Sequence, residues 1–280
     1  MTGTDKLTET HDRLVEAVAA LSSGEDWKRM LEVARRFHNY SANNVLLIQS
    51  QRPDATRVAG YKTWKGLGRQ VRAGEHGIAI LAPCIYRSEP SDGQEEANEA
   101  RRVLRGFRVA HVFDLAQTEG TPLEEVAPAP LVGDAPNALW SQLASQVIAA
   151  GFNLLRADCR PANATTHFLA RTVVVRPDLS PAQAAKSLCH ELAHVKLHDG
   201  SEYAKGCRDV VEVEAESVAY LVCAAAELPT EDYSFPYVAR WANGDPDTVR
   251  RTADRVITCA RGILAVAGIW TTESTAARER

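Results

Sequence analysis

Residues 119–136 read EGTPLEEVAPAPLVGDAP, with four prolines and four acidic side chains in eighteen positions. Each proline fixes φ and removes a backbone donor, so neither a helix interior nor a central strand can run through such a stretch. No hydrophobic period crosses it either, so the chain must build a separate core on each side. The 280 residues, 45% hydrophobic and 24% charged, are enough for two domains of ordinary globular composition. The expected organisation is a first domain over 1–125, a linker over 119–136 and a second domain over 137–280.

The first segment reads as α+β. Asp12 to Ala20 and Trp27 to Tyr40 have helical spacing, with Trp27, Met30, Leu31, Ala34 and Phe37 on one stripe, and Ser41 and Asn43 offer caps for a further short helix. After Pro53 the texture changes to short apolar runs punctuated by glycine. RVAGYKTW, RQVRAGEHGIAILAP and FRVAHVFDL are expected strands, with a turn at Ala73 to Gly77, and Ser88 to Arg105 is expected to be an exposed loop or short helix.

Charge is unevenly spread. The chain carries a net charge of -4, yet Trp27 to Arg87 holds eleven basic residues against three acidic. Such a block suits a polyanionic partner. Single strands are bound by positive grooves that follow phosphates and by aromatic faces that stack bases, and Tyr61 and Trp64 lie among Arg57, Lys62, Lys65, Arg69 and Arg72. Large aromatics are usually buried, so on composition alone Trp64 reads first as a core residue.

The second segment is expected to hold an amphipathic helix over Asn137 to Ala150, strands in FNLLRAD and HFLARTVVVRP, and then the helix SPAQAAKSLCHELAHVKLH, with Ser180 as N-cap and Pro181 at its first position. This last helix carries H-E-x-x-H. Residues i and i+4 share a helix face, so His190 and His194 can present two imidazoles to one metal ion with Glu191 beside it. A third ligand is needed. The following helix, DVVEVEAESVAYLVCAAAEL, supplies Glu212, eighteen residues past His194. Glu216, one turn on, can accept the outer N–H of a ligating histidine, and Glu214 projects from a different side. His198 could be a fourth ligand, a transition-state donor or a cap. Residue 200 is Gly, which excludes the metzincin pattern. The other histidines, His11, His38, His76, His111 and His167, stand alone in sequence and read as surface or hydrogen-bonded core residues, while Cys207 is a distant alternative ligand.

HELAH followed by an E-x-x-A-E helix resembles the gluzincin branch of zinc metallopeptidases, in particular the ImmA/IrrE-like peptidases and the C-terminal half of ArdC-type antirestriction proteins. NYSANNVLLIQSQ, VAGYKTWKGLGRQVRAGEHGIAILAP and VFDLAQTEG resemble the ArdC-like single-stranded DNA-binding domain, and FPYVARW is similar to a segment that follows the peptidase helix in those proteins. The likeness extends from about residue 27 to 260. VKLHDGSEYAKG, after His194, departs from the W-T-G-H segment common in ArdC relatives. The resemblance implies an α+β chain whose C-terminal domain is mainly helical and zincin-like with a small sheet. It also implies that Tyr61 and Trp64 join the basic residues at a DNA surface.

The expected function is a zinc-dependent metallopeptidase that binds single-stranded DNA and cleaves a protein substrate, with Zn2+ on His190, His194 and Glu212 and Glu191 as general base. Tyr203, His198, Tyr233 and Tyr237 are candidates for the oxyanion donor. The alternatives are an antirestriction factor whose zinc is only structural and an ImmA-like protease acting on a repressor. The N-terminus lacks the zones of a signal peptide and no run of 18 apolar residues occurs, so the expected setting is cytoplasmic with no membrane partner. Six scattered cysteines without a C-x-x-C pair suit reduced thiols.

Overall fold

A computed structural model describes residues 3–87, 102–122, 135–199, 201, 208–228, 230, 233, 235, 236, 241, 242 and 245–269. In chain order its elements are α1 (Gly3–Ala19), α2 (Gly24–Arg36), α3 (Ala42–Gln51), β1 (Val58–Gly60), α4 (Tyr61–Gly66), β2 (Arg69–Val71), β3 (Ile78–Arg87), β4 (Arg102–Asp114) and β5 (Thr118–Gly120). They continue with α5 (Ala135–Ala149), β6 (Asn153–Arg156), β7 (Ala164–His167), β8 (Thr172–Val175), α6 (Pro181–Leu197), α7 (Arg208–Ala225) and α8 (Pro246–Val266). The fold is mixed α+β in two compact units, Met1–Ala17 with Leu46–Thr121 and Val18–Val45 with Pro122–Arg280.

In the first unit the short apolar runs pair. An antiparallel sheet has the order β1-β4-β3, and β2 pairs with β5. The β3–β4 register shifts between Pro83 and Ile85, where proline has no N–H for the ladder. Gly120 has φ 129°, and a Cβ on it would lie 2.4 Å from the Gly68 carbonyl oxygen, so β5 can approach β2 only as glycine. A buried polar tie closes the unit. Asp114 accepts from the backbone N–H of Thr56, Arg57 and Ala116, while the Gln117 amide donates to His76 O and to Glu75. The VFDLAQTEG run is therefore a structural clamp on β1, the 72–77 turn and the end of β4.

Two expectations change here. RVAGYKTW is not one strand: β1 ends at Gly60 and Tyr61–Gly66 is helix, which brings Trp64 inward to 0% exposure with its indole N–H donating to Phe113 O at 2.9 Å. Of Ser88 to Arg105, residues 88–101 lie outside the described ones, and 102–105 belong to β4, paired with β3 rather than forming a loop.

In the second unit β6 runs parallel to β8 and β7 antiparallel to it. HFLARTVVVRP is thus split: His167 ends β7, a turn follows, and β8 begins at Thr172. The turn places Arg171 at φ 47°, and its guanidinium donates to Ala150 O and Gly151 O at the end of α5. Helices α5 and α7 pack on α6, which also lies against β7, and α8 packs on α7. Residues 18–45 belong with the second unit, because the α2 stripe of Trp27, Met30, Leu31 and Ala34 is buried there and the Trp27 indole donates to Ser217 Oγ at 2.8 Å. Among the described residues, no helix is long and apolar enough to cross a membrane.

Candidate metal centre

Ser180 caps α6 by accepting from Gln183 N, and Pro181 occupies its first turn, so the helix starts where its sequence directs. Three turns on, His190 Nε2 and His194 Nε2 lie 3.0 Å apart. Glu212 on α7 closes a triangle with them, its Oε2 at 3.4 Å from His190 Nε2 and 3.8 Å from His194 Nε2. A tetrahedral zinc with ligand distances of about 2.0–2.2 Å separates its ligand atoms by about 3.3 Å. The observed edges bracket that spacing, so two imidazoles and a carboxylate fit one such cation.

The outer nitrogens are also partnered. His190 Nδ1 lies 3.0 Å from Glu216 Oε2, and His194 Nδ1 lies 3.1 Å from His198 Nδ1. His198 in turn reaches Glu214 through Nε2 at 2.9 Å. Of the three roles open to His198, the structure makes it the α6 C-cap residue and the partner of His194. Its side chain is fully enclosed, and neither ring nitrogen faces the His190–Glu212 triangle.

The electrostatics favour a cation. Burial disfavours a charged His190, but hydrogen bonds to Glu212 and Glu216 and the charge of Glu191 outweigh it and hold the imidazole up to about 10. Burial, and then the neighbouring His190 charge, push His194 down to about 3. In the metal-free protein the pair thus carries one positive charge, lodged where a cation's charge would be stabilised. Glu191 is buried, which raises its carboxyl, while a hydrogen bond from Thr166 Oγ1 at 2.6 Å opposes the rise.

The structure brings His190, Glu191, His194, Glu212, Glu216 and His198 together. Three participants escape a sequence reading. Thr166 is on β7, Glu214 is buried on α7, and Arg255 on α8 donates from Nε to Glu214 Oε1 at 3.1 Å. The only hint of Glu214's role is a carboxylate within an otherwise apolar helix run. His167, read as isolated, lies near enough to Glu191 to act on its charge. Among the oxyanion candidates, Tyr233 is buried with its ring under Lys186 Nζ and beside Tyr220, and so is packed rather than open; Tyr203 and Tyr237, like Cys207, lie outside the described residues. Burial pushes the thiols of Cys223 and Cys259 up to about 11 and about 12.

In the first unit Arg57, Tyr61, Lys62, Lys65 and Arg72 are exposed. Trp64 is not, so its ring cannot stack a base. Arg69 turns inward, donating to Thr118 Oγ1, Thr118 O and Thr121 O. Arg72 gives one nitrogen to Ala116 O and Glu75.

Residues 4–113 match the family described as the N-terminal domain of anti-restriction factor ArdC, and residues 151–234 match the IrrE N-terminal-like domain. An uncharacterized protein of Bacillus anthracis is 26% identical over 270 residues, covering 84% of this chain and 46% of that protein, so the chain spans less than half the relative's length. The antirestriction protein ArdC of plasmid R388 is similar in fold at 19% identity. Its metal-free structure gives a TM-score of 0.52 with 81% of this chain and 85% of that one covered, and its Mn(II)-bound structure gives 0.50 with 88% and 99% covered. The chain is thus similar to the ArdC N-terminal domain over residues 4–113 and to the IrrE N-terminal-like domain over residues 151–234, a span that carries the His190, His194 and Glu212 cluster, and it shares the ArdC fold.

Proposed function

We propose that this chain is a DNA-binding zinc metallopeptidase that hydrolyses peptide bonds in a protein substrate. One observation carries the reading: a three-ligand cluster on α6 and α7 with a buried carboxylate, Glu191, next to a ligand and belonging to none of the ligand set. His190, His194 and Glu212 would hold the cation, with Glu216 and His198 accepting the outer protons of the two imidazoles. A bound divalent cation, taken here to be Zn2+, supplies polarisation of a scissile carbonyl and acidifies water. The chain's own groups do the rest. Glu191 is the general base, because burial raises its carboxyl toward the range in which it can take a proton from water and return it to the leaving amine. The Thr166 hydroxyl fixes Oε2 of that carboxylate, so proton transfer falls to Oε1.

The first unit delivers the enzyme to nucleic acid. Tyr61 and Lys65 are one turn apart on α4, an open ring beside a cation, with Lys62, Arg57 and Arg72 supplying further exposed charge. That combination suits single strands, whose bases can stack while phosphates are neutralised. The ArdC likeness favours a setting in which the protein acts on DNA arriving with a mobile element and counters restriction.

The test uses the full chain loaded with one equivalent of zinc and offered chromatin-type and repressor proteins, with and without single-stranded DNA. Cleavage that needs zinc and is abolished in Glu191→Gln, a variant that keeps its metal, is the expected result. Cleavage unchanged by that substitution, or none with any substrate, would leave the metal a scaffold and sink the peptidase reading.

A further inference from the structure

The two ligand histidines are held by different means. His190 leans on one carboxylate, Glu216, which is half-buried. His194 stands at the end of a relay that passes through His198 and Glu214 and finishes at Arg255. The His198 and Glu214 side chains are 0% and 4% exposed, whereas the Arg255 side chain is 45% exposed. Arg255 is anchored a second time, its Nη2 donating to Leu197 O, the last residue of α6, at 2.6 Å. The groups come from α6, α7 and α8, and α8 supplies no ligand.

The protons along this relay give it a direction. Arg255 Nε–H can only donate, so Glu214 Oε1 accepts. Glu214, with its charge balanced by Arg255, accepts at Oε2 as well, and His198 must therefore carry its proton on Nε2. That leaves His198 Nδ1 as an acceptor, so His194 must hold its proton on Nδ1 and present a bare Nε2 to the cluster. In the opposite tautomer, His194 would point an N–H at the place a cation must occupy. Each link is thus set by the one outside it, and every buried polar atom in the relay has a partner.

We propose that Arg255, Glu214 and His198 are positioning residues for the ligand His194. The relay selects the ligating tautomer, and metal affinity depends on a guanidinium on a helix that touches no metal. The inference rests on the reading of His190, His194 and Glu212 as a cation site. It adds a dependence that Glu216 and His190 do not share.

Zinc affinity of the full-length protein, measured by competition with a chelating dye, and the visible bands of the Co2+-loaded form test it directly. Arg255→Gln should weaken zinc binding about tenfold and Glu214→Gln by about 10–100-fold, with altered Co2+ bands in both. Arg255→Lys should recover part of the loss, since it restores a cation beside Glu214. The decisive comparison is coupling: Arg255→Gln with Glu214→Gln should be no worse than Glu214→Gln alone, whereas Arg255→Gln with Glu216→Gln should multiply. A merely structural Arg255 would change the unfolding midpoint of the metal-free protein and leave the Co2+ bands alone. If Glu214→Gln does not fold, Arg255→Gln alone and combined with Glu216→Gln still decide the matter. Wild-type binding that Arg255→Gln leaves untouched overturns this proposal and spares the metal site; failure of the wild type to take up zinc or cobalt overturns both.

Discussion

The metal centre and the basic surface of the first unit are both built from polar side chains, but under opposite constraints. Around α6, Glu191, His194, His198 and Glu214 are buried, and each has a named partner. An unpartnered buried polar group costs on the order of 1–3 kcal/mol, so burial itself dictates which atom faces which. On the first unit the cations stand in water, where a single pair is worth about 0–1 kcal/mol and geometry is loosely held. There, cations of the basic block are also engaged internally: Arg52 pairs with Asp54, Arg69 binds the β5 strand and Arg72 the backbone before it. A buried charge reveals its task through its partners, whereas an exposed one reveals it only through a ligand.

The largest effect that would break this contrast lies at Glu191. Glu191→Gln should lower peptide hydrolysis by about 10²–10⁴-fold while zinc content, measured by metal analysis, stays at the wild-type level. His194→Ala, by contrast, should lose zinc on dialysis against a mild chelator. Next comes pH. His190 is held up to about 10 without metal, so a cation must displace its proton. Apparent zinc affinity should climb about tenfold per pH unit below that value and flatten above it, with close to one proton released per ion at pH 8 in calorimetry across buffers. The metal-free fold responds in the opposite sense: a raised histidine stabilises fully below its ordinary value near 6.5 and loses that contribution as pH passes about 10.

Smaller effects test the first unit. Trp64→Ala should destabilise it by about 3–5 kcal/mol in denaturant unfolding, the mark of a core residue; a loss confined to DNA binding would restore its stacking role. Tyr61→Ala should cost about 1–3 kcal/mol in single-strand affinity and little with duplex. Neutralising Arg57, Lys62 and Lys65 should shallow the logarithmic salt slope by roughly 0.7 for each phosphate that is no longer neutralised, whereas Arg69→Gln should act on stability instead.

Local periodicity makes α6 and its histidine pair readable. Spacing of i and i+4 puts His190 with His194 and Glu212 with Glu216 whatever surrounds them. The pairing of Glu214 with Arg255 is not readable, because it depends on how α8 packs against α7. Thr166 is hidden for the same reason, sitting on a strand whose only link to α6 is tertiary. YKTWKG resembles a strand because aromatic and β-branched residues dominate it, yet burying Trp64 over so short a span requires one turn and a half of helix. The proline-rich stretch is legible as a break in the hydrophobic period. It cannot reveal that the chain passes between the two units at 17/18 and 45/46.

Those earlier passages bear on inheritance. A recombination joint at the proline-rich stretch would separate the gene's two halves but not the protein's. The downstream product would lack Trp27, leaving Ser217 without its indole donor and Trp241 without the ring set edge-on against it at 5.1 Å. The upstream product would carry Trp27, Met30 and Leu31 into water. The two halves therefore cannot be traded as independent cassettes, and a lineage that keeps only the IrrE-like half must evolve a substitute for α2.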